Sequence, residues 1–405
     1  MRTQAGDHQV LEAVTATAEG QRRDRYAALG AAGPVHRLRL PNGVPVWLIT
    51  SHAETKRLLT DPRIVKVGPE QAPYAHRLPP DVARGIYHHL LYASPPEHTR
   101  LRRLVAKAFT RGRVDGLAPR IEETTHRLLD EVAGADVVDL IPALAYPLPI
   151  TVISFLLGIP RDAQADFRAW TAPLIAPEVA GYDTYAASAR TLLTFLRQLI
   201  AVKRREPGED LLSDLVAVRD GEERLTEDEL TSMLLLLVVA GHDTTVNLIA
   251  NGVLALLRHE DQRALLAADP DRLANAIEEL LRYDAPVHNT VPARATEPVE
   301  VAGTTIEPGD VVVFSLLAAN RDPDQFGEPG QLDLSRDCGT HTAFGHGIHY
   351  CLGAPLARLE ARIALGALLD RFPRLSLAVP ADTLTRKPSM TMNGLTALPV
   401  RLRGS

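Results

Sequence analysis

The residues with the clearest chemical potential lie in the stretch AFGHGIHYCLGAPLAR, residues 343–358. Cys351 is one of two cysteines in the chain, and the apolar spacing of Leu356, Leu359 and Ile363 predicts a helix directly after it, with Pro355 in the first turn. A helix N-terminus favours a thiolate over a thiol, because free N–H groups and the helix dipole stabilise negative charge there. Glycines 345, 347 and 353 let the backbone bend and approach a flat ligand.

The loop taken alone leaves two other interpretations open. Most free cysteines are small buried apolar residues, and Cys351 could be one of them. A zinc site is the second alternative, because His341, His346 and His349 precede Cys351 with donors that zinc accepts. Their spacings of five, three and two residues do not match the paired ligands of a zinc finger.

The segment FGHGIHYCLG, residues 344–353, resembles the haem-binding loop of the cytochrome P-450 family. The resemblance rests on Phe344, a glycine three residues on, His349 two residues before the cysteine and Gly353 two after it. It implies that Cys351 is the axial thiolate ligand of the iron in haem b (iron protoporphyrin IX), with Phe344, Gly345 and Gly353 shaping the loop. Haem would lie between a long central helix and the helix that follows the cysteine.

The long helix predicted at 226–258 contains the stretch AGHDTT, residues 240–245. Gly241 inside a helix costs about 1 kcal/mol relative to alanine, and threonine hydroxyls can bond to the preceding turn, so a local bulge is expected. Taken alone, Thr244 and Thr245 would be packing residues. The resemblance instead implies that Asp243 and Thr244 are the family's acid and alcohol pair, which delivers protons to the dioxygen that haem activates.

Further positions match the family in the correct order along the chain. Glu279 and Arg282 share a helix face, and the resemblance implies a buried structural cluster with Arg336. It also implies that the haem carboxylates are bound by four basic residues: His98, Arg102, Arg294 and His349. Ser94 departs from the family pattern, since many relatives have aspartate there.

Composition and patterning limit the remaining possibilities. The chain has 405 residues, 45% of them hydrophobic, and a net charge of −6, which argues against nucleic acid as a partner. The N-terminus lacks the apolar stretch of a signal peptide and the longest apolar runs are too short to span a bilayer, so we expect a cytoplasmic protein without membrane contact. A β-hairpin at 35–50, long helical stretches over 98–285 and short strands after 285 predict a mainly α fold with small β-sheets, in a single domain, 1–405.

The function implied is a monooxygenase that hydroxylates or epoxidises a hydrophobic, macrolide- or polyketide-like secondary metabolite with dioxygen. A haem-thiolate peroxygenase that uses hydrogen peroxide and a non-catalytic haem protein are the alternatives, and both are disfavoured by the Asp243 and Thr244 pair. Mobile loops at 65–94 and 170–185 are expected to cover the substrate. Substrate contacts are predicted at six positions: Val239, Ala240, Asn289, Thr290, Val291 and Met392. Thr391 and Asn393 are additional hydrogen-bonding candidates.

No reductase segment is visible, so electrons should come from NAD(P)H through a ferredoxin reductase and a ferredoxin. A basic face is predicted to dock an acidic ferredoxin, by steering that raises the encounter rate. Its members are Arg100, Arg103, Lys107 and Arg111 on one helix, with Arg358 and Arg362 after the cysteine. We expect a monomer.

Overall fold

The computed structural model describes residues 16–40, 43–72, 74–220 and 225–403. The α-helices, numbered α1 to α16 in chain order, are Gln21–Ala32, His52–Leu58, Pro80–Tyr87, Glu97–Ala108, Arg111–Asp115, Ala118–Val132, Pro147–Leu157, Gln164–Ile175, Pro177–Ala180, Tyr182–Arg205, Leu211–Asp220, Glu227–Arg258, Glu260–Ala268, Leu273–Tyr283, Leu316–Ala319 and Ala354–Arg371. The strands, β1 to β10, are Val35–Arg39, Pro45–Ile49, Ile64–Lys66, Val137–Asp139, Ala293–Ala295, Val299–Val301, Thr304–Ile306, Val311–Phe314, Ser376–Leu377 and Pro399–Arg401. The mainly α fold with small sheets is confirmed.

The chain divides into two compact units, each built from several segments. The first unit comprises residues 1–65, 121–147 and 244–405, and the second comprises 66–120 and 148–243. The prediction of one domain over 1–405 stays a prediction.

The first unit contains the principal sheet, in the strand order β1-β2-β8-β5-β3. The predicted hairpin is confirmed, since β1 and β2 pair antiparallel from Val35 opposite Ile49 to Arg39 opposite Pro45. Strand β8 then pairs parallel to β2, and β5 antiparallel to β8. One face of this sheet is apolar, with Ile49, Val312 and Phe314 among its buried residues. This pairing holds β5, and with it Arg294, in a fixed register.

The second unit contains the N-terminal half of α12, the longest helix. The predicted capping box is confirmed: the backbone N–H of Glu229 donates to the Thr226 hydroxyl over 3.1 Å, and the N–H of Thr226 donates to the Glu229 carboxylate over 2.7 Å. By length and composition α12 could cross a membrane, but 67% of its most apolar window is buried within the structure. That burial is typical of the core helix of a globular protein.

A buried cluster of charges joins the two ends of the first unit. Asp284 accepts hydrogen bonds from Arg23, Arg386 and Asn393 over 3.1, 2.6 and 2.7 Å, and Glu19 bonds to both arginines. Burial alone would raise the pKa of Asp284, but the charges of Arg386 and Arg23 and the bond from Asn393 hold that pKa below its ordinary value. The two carboxylates bond to arginines from both ends of this unit, so the cluster is a structural tie between α1 and the C-terminal segment.

Asp284→Asn should lower the free energy of unfolding at pH 7 by about 3–5 kcal/mol, because two buried arginines lose their counter-charge. The folded pKa of Asp284 lies below the unfolded value of about 3.9, so its contribution is present above that pH and is lost as the pH falls through the folded pKa. As the pH falls below about 4, the free energy of unfolding should therefore decrease less in the variant than in the wild type. Urea unfolding followed by circular dichroism at several pH values measures both effects.

The matched control is Asp136→Asn, which removes the exposed pair between Asp136 and Arg401, 3.0 Å apart. We expect a loss below about 1 kcal/mol for this exposed pair. Equal losses in the two variants would contradict a structural role for the buried cluster.

Candidate active site

The loop before α16 presents Cys351 at a helix N-terminus, as the sequence predicts. Residues Gly347–His349 form a 3-10 turn, and the Cys351 N–H donates to the Phe344 carbonyl over 2.9 Å. Helix α16 begins at Ala354, whose N–H points to the Cys351 carbonyl at 3.4 Å. Cys351 is exposed, so it is not the buried apolar residue that the loop alone allowed.

The glycines of this loop have different roles. Gly345 and Gly347 adopt φ angles of 74° and 68°, which favour glycine, and a Cβ on Gly347 would lie 2.8 Å from the Leu59 carbonyl oxygen. Gly353 has an ordinary φ of −81°, so the backbone does not need a glycine there. A Cβ at Gly353 would instead lie 3.9 Å from the Cys351 sulfur. The absence of a side chain at 353 keeps space open beside the thiol.

An ion pair that sequence reasoning missed supports the loop. Arg358 donates twice to Glu278, over 2.7 Å each, and its guanidinium lies 4.5 Å from the centre of the Phe344 ring. His341 also bonds to Glu278, over 3.0 Å. Burial alone would raise the pKa of Glu278, but the hydrogen bonds from Arg358 and His341 lower it to about 2. Eighty residues separate Glu278 from Arg358, so no local pattern predicts this pair.

The same contacts argue against a zinc site. Both ring nitrogens of His341 are occupied, one by Glu278 and the other by the N–H of Ala343 at 3.1 Å. Within the part of the chain that the structure describes, no cluster of three His, Cys, Asp or Glu side chains could hold a metal ion. A single cysteine would suffice for haem iron, because the porphyrin would supply the iron's nitrogen ligands.

The structure brings Glu279 and Arg282, which are fully buried, together with the half-buried Arg336. Arg282 donates to the Glu279 carboxylate over 2.6 and 2.8 Å, and both side chains are 0% exposed. Arg336 approaches the same carboxylate at 3.4 Å, and the N–H of Asp333 donates to it over 3.0 Å. The cluster therefore connects α14 to the segment that leads into the cysteine loop.

The second cysteine, Cys338, also belongs to this cluster. Its thiol donates to Glu279 over 2.9 Å, and it is completely buried. Burial and the adjacent Glu279 carboxylate raise the pKa of Cys338 well above its ordinary value. The structure thus distinguishes a neutral, structural Cys338 from an exposed Cys351.

Arg294 and His349 are the predicted carboxylate-binding residues of the first unit. Arg294 lies in the middle of β5 and is half-buried. Its Nε atom is buried and has no hydrogen-bond partner among the described residues. An unmatched buried guanidinium nitrogen is costly, and a ligand carboxylate would satisfy it. His349 ends the 3-10 turn of the cysteine loop and is half-buried.

His98 and Arg102 are the corresponding residues of the second unit. They lie one turn apart on α4, and His98 is only 2% exposed. Burial, and then the nearby charges of Arg102 and Lys66, lower the pKa of His98. The side chain therefore lies among positive groups, as an anion-binding position requires.

The middle of α12 interrupts an otherwise buried surface. Ala240 is exposed and Val239 and Thr244 are half-buried, whereas Asp243 is 6% exposed. The prediction of a local bulge is wrong, because residues 227–258 are α-helical throughout. Gly241 has a packing role instead, since a Cβ there would lie 2.9 Å from the Ile153 side chain.

The predicted substrate residues divide into two groups. Asn289 is 1% exposed, accepts from Tyr26 and donates to the Met390 carbonyl, so its amide is used within the fold. Asn393 is 0% exposed and belongs to the Asp284 cluster. Both amides are engaged within the fold, and their contact with substrate stays a prediction. The remaining predicted residues of the first unit are half-buried: Thr290, Val291, Thr391 and Met392.

The two predicted covering loops are joined by tyrosines within the second unit. The hydroxyls of Tyr87 and Tyr185 lie 2.5 Å apart, the rings of Tyr74 and Tyr185 are 5.3 Å apart, and the Arg77 guanidinium lies 3.9 Å from the centre of the Tyr182 ring. Residues 170–185 fall mostly in α8, α9 and α10 and not in a loop as expected. The side chains from the two segments interlock, so the segments should move as one body.

Comparison with known proteins identifies the class. The cytochrome P450 family model matches residues 189–399. The cytochrome P450 monooxygenase PikC of Streptomyces venezuelae is 46% identical over 387 residues, 93% of this chain and 90% of that protein. The 6-deoxyerythronolide B hydroxylase of Saccharopolyspora erythraea is 42% identical over 387 residues, 94% of this chain and 95% of that protein. The solved structure of tirandamycin C-bound TamI has a TM-score of 0.87 and 43% identity, and the match covers 94% of this chain and 97% of that one.

The chain therefore belongs to the cytochrome P450 family and has its fold. Within that family it is a monooxygenase, and its relatives include hydroxylases of macrolide and polyketide biosynthesis. The residues present fit haem: an exposed cysteine at a helix N-terminus, a buried Arg294 nitrogen without a partner, and a basic group around His98.

Cys351→Ser should abolish the thiolate-type absorption band of the reduced, carbon monoxide-treated protein, because serine supplies no thiolate. Cys338→Ser is the matched control and should keep the band, since Cys338 only donates to Glu279. Difference spectra of the two purified variants measure this directly. A band that survives in Cys351→Ser, or is lost only in Cys338→Ser, would contradict the ligand assignment.

Proposed function

We propose that this protein is a haem-dependent monooxygenase that hydroxylates or epoxidises a hydrophobic, macrolide- or polyketide-like secondary metabolite. The observation that carries the proposal is the exposed Cys351 thiol at the N-terminus of α16, three residues before Ala354. Haem b bound through this thiolate would supply the activation of dioxygen for transfer of one oxygen atom to a C–H or C=C bond. His98, Arg102, Arg294 and His349 would hold the haem carboxylates.

Asp243 and Thr244 are the proposed proton-delivering pair. Asp243 is 6% exposed and Thr244 is half-buried, so an acid and an alcohol occupy consecutive positions of the same helix. In such a pair the carboxyl can pass a proton to the hydroxyl oxygen and can then be reprotonated. Burial keeps bulk water from competing for the same positions.

The proposed substrate class rests on the side chains and on the relatives. Val239, Ala240, Val291 and Met392 are apolar and at least partly accessible, and Thr290 adds a hydroxyl. Largely apolar pockets with a few polar groups bind oxygenated hydrophobic molecules. The names of the relatives refer to a macrolactone and to tirandamycin C, which are molecules of this kind.

Two alternative functions differ from this proposal in how they use electrons. A peroxygenase would form product from hydrogen peroxide at an equal or higher rate without redox partners, and it has no need of Asp243 and Thr244. A non-catalytic haem protein would bind the substrate class without forming product. Labelled dioxygen discriminates all three, because only the monooxygenase places one ¹⁸O atom from the gas in the product.

We propose NAD(P)H, a ferredoxin reductase and a ferredoxin as the electron supply. The predicted docking face requires revision, because Arg100 bonds to Glu229, Arg358 bonds to Glu278, and Arg111 lies in α5 and not on the same helix as Arg103. The Lys107 side chain lies outside the described residues. Among the predicted members, Arg103 of the second unit and Arg362 of the first unit are exposed, and Ile348 and Tyr350 of the cysteine loop are exposed in the first unit. We further propose that the protein is monomeric and cytoplasmic and that it contacts neither membrane nor nucleic acid.

Thr244→Ala should uncouple NAD(P)H consumption from product, because the hydroxyl that passes the proton is removed. We expect peroxide release to rise and the product yield per NAD(P)H to fall about tenfold, with substrate affinity nearly unchanged. The control is Thr231→Ala on the same helix, where the hydroxyl bonds only to the Glu227 carbonyl, over 2.8 Å. Full coupling in Thr244→Ala would show that Thr244 is a packing residue.

Arg103→Glu and Arg362→Glu should each slow reduction by ferredoxin, by about tenfold at low ionic strength and by less at high salt, because steering is electrostatic. Arg190→Glu is the control, since Arg190 is also exposed but lies on α10. Stopped-flow reduction under carbon monoxide gives the rates, and the substrate-induced spectral shift gives the affinity. An equal effect of all three variants would exclude a specific docking face.

A further inference from the structure

A buried histidine on α12 has no role in the functions described so far. His242 is 1% exposed and immediately precedes Asp243, the proposed proton donor. Its Nδ1 atom lies 2.7 Å from the Val238 carbonyl oxygen, and its Nε2 atom lies 3.3 Å from the hydroxyl oxygen of Thr171. A carbonyl oxygen only accepts hydrogen bonds, so Nδ1 carries a proton and Nε2 faces Thr171. The ring therefore connects one turn of α12 to α8.

The hydroxyl that His242 meets is itself fixed within α8. Thr171 is 1% exposed and lies in the segment 170–185, which is predicted to cover the substrate. Its hydroxyl donates to the Phe167 carbonyl over 2.8 Å. The Phe167 ring in turn packs edge-on against that of Phe195 on α10, with the ring centres 5.5 Å apart. The contact with His242 therefore reaches a point on α8 that aromatic packing holds in place.

A second contact holds the same turn of α12 from another helix. A Cβ on Gly241 would lie 2.9 Å from the Ile153 side chain, so α7 approaches the backbone of α12 closely at this residue. Close packing against α7 and a buried polar contact with α8 act on consecutive residues, 241 and 242. The turn cannot rotate about the helix axis without separating one of them. Asp243 is the next residue, so these two contacts set the direction of its side chain.

We propose that His242 is a positioning residue for oxygen transfer: its contact with Thr171 fixes the direction in which Asp243 presents its carboxyl. The inference rests on the proposed function, in which Asp243 and Thr244 deliver the proton. Proton transfer requires the two heavy atoms to lie within hydrogen-bond reach, and a misplacement of about 1 Å can cost about a hundredfold in rate. In this role His242 acts through Asp243 and is not itself a proton donor.

The test compares Thr171→Val, which removes the hydroxyl and keeps the shape, with Thr171→Ser, which keeps the hydroxyl. Infrared spectroscopy of the reduced, carbon monoxide-treated holoprotein gives the C–O stretching band, whose frequency responds to the electric field of polar groups beside the bound ligand. The band should shift in Thr171→Val and in His242→Phe and should keep its wild-type position in Thr171→Ser. An unshifted band in Thr171→Val, or an equal shift in Thr171→Ser, would overturn the proposal.

A second comparison asks whether the contact acts through Asp243. Thr171→Val is combined with Asp243→Ala, which removes the carboxyl that His242 is proposed to position. Groups that act in series are not additive, so the double variant should show the band of Asp243→Ala alone. The same shift from Thr171→Val with and without Asp243 would mean that the contact acts by another route, and the proposal would fail.

Ser154→Ala is the matched control for the loss of a buried hydroxyl. Ser154 is 0% exposed on α7 of the same unit, and its hydroxyl donates to the Ile150 carbonyl four residues earlier, over 2.7 Å, as that of Thr171 does to Phe167. The control should leave the C–O band unchanged, and the urea midpoints of the two variants should fall by similar amounts. A shift as large as that of Thr171→Val would show a general effect of packing and would contradict the role of His242.

The outcomes also separate this inference from the proposed function. A wild type without the thiolate-type carbon monoxide spectrum would overturn the proposed function, and the inference with it. With that spectrum present, an unshifted C–O band in Asp243→Ala would overturn the proposed proton-delivering pair. A shift in Asp243→Ala without one in Thr171→Val or His242→Phe would overturn only the role of His242.

Discussion

The Glu279 carboxylate is the single group on which the geometry of the first unit depends most. It is 0% exposed and accepts hydrogen bonds from Arg282, Arg336, Cys338 and the backbone of Asp333. Arg282 in turn donates to the carbonyls of Asn320, Pro329 and Gln331. A buried charge of this kind is tolerated only when all its neighbours are in place, so it fixes the segment 320–338 against α14. The cysteine loop begins six residues after Cys338.

A second set of ion pairs fixes the cysteine loop itself. Glu278, the residue before Glu279, faces Arg358 and His341 instead, so adjacent carboxylates of α14 hold the segments on either side of Cys351. Arg358 also lies over the Phe344 ring. Breaking either pair would leave a buried or half-buried charge without compensation, which is more costly than the pair is stabilising. The position of the thiol thus depends on electrostatics at some distance from the sulfur.

The sequence was sufficient where a local pattern carries the information. The pairing of β1 with β2, the capping box at Thr226 and Glu229, and the helix after Cys351 follow from local patterns in the sequence, and the structure has all three. It was insufficient where residues distant in the chain compete for a group. Asn289 and Asn393 read as polar residues in an apolar stretch, but Tyr26 and Asp284 occupy them. The sequence alone also suggests free surface charges at Arg100 and Arg358, but Glu229 and Glu278 neutralise them. The tertiary partners of these residues determine whether their polar groups are available to a ligand or partner, and no spacing pattern in the sequence specifies those partners.

Charge balance distinguishes the supporting structure from the site more clearly than residue type does. Arginine occurs in both places. In the supporting clusters Arg23, Arg282 and Arg386 each have a carboxylate within about 3 Å, as between Arg386 and Asp284 at 2.6 Å. At the proposed haem-carboxylate position on β5, the Nε of Arg294 is buried and has no hydrogen-bond partner among the described residues. Folding alone gains nothing from such an unsatisfied nitrogen, since it weakens the protein until an anion binds. A haem carboxylate bound at Arg294 would satisfy this nitrogen, so we expect cofactor binding and the stability of the protein to be interdependent.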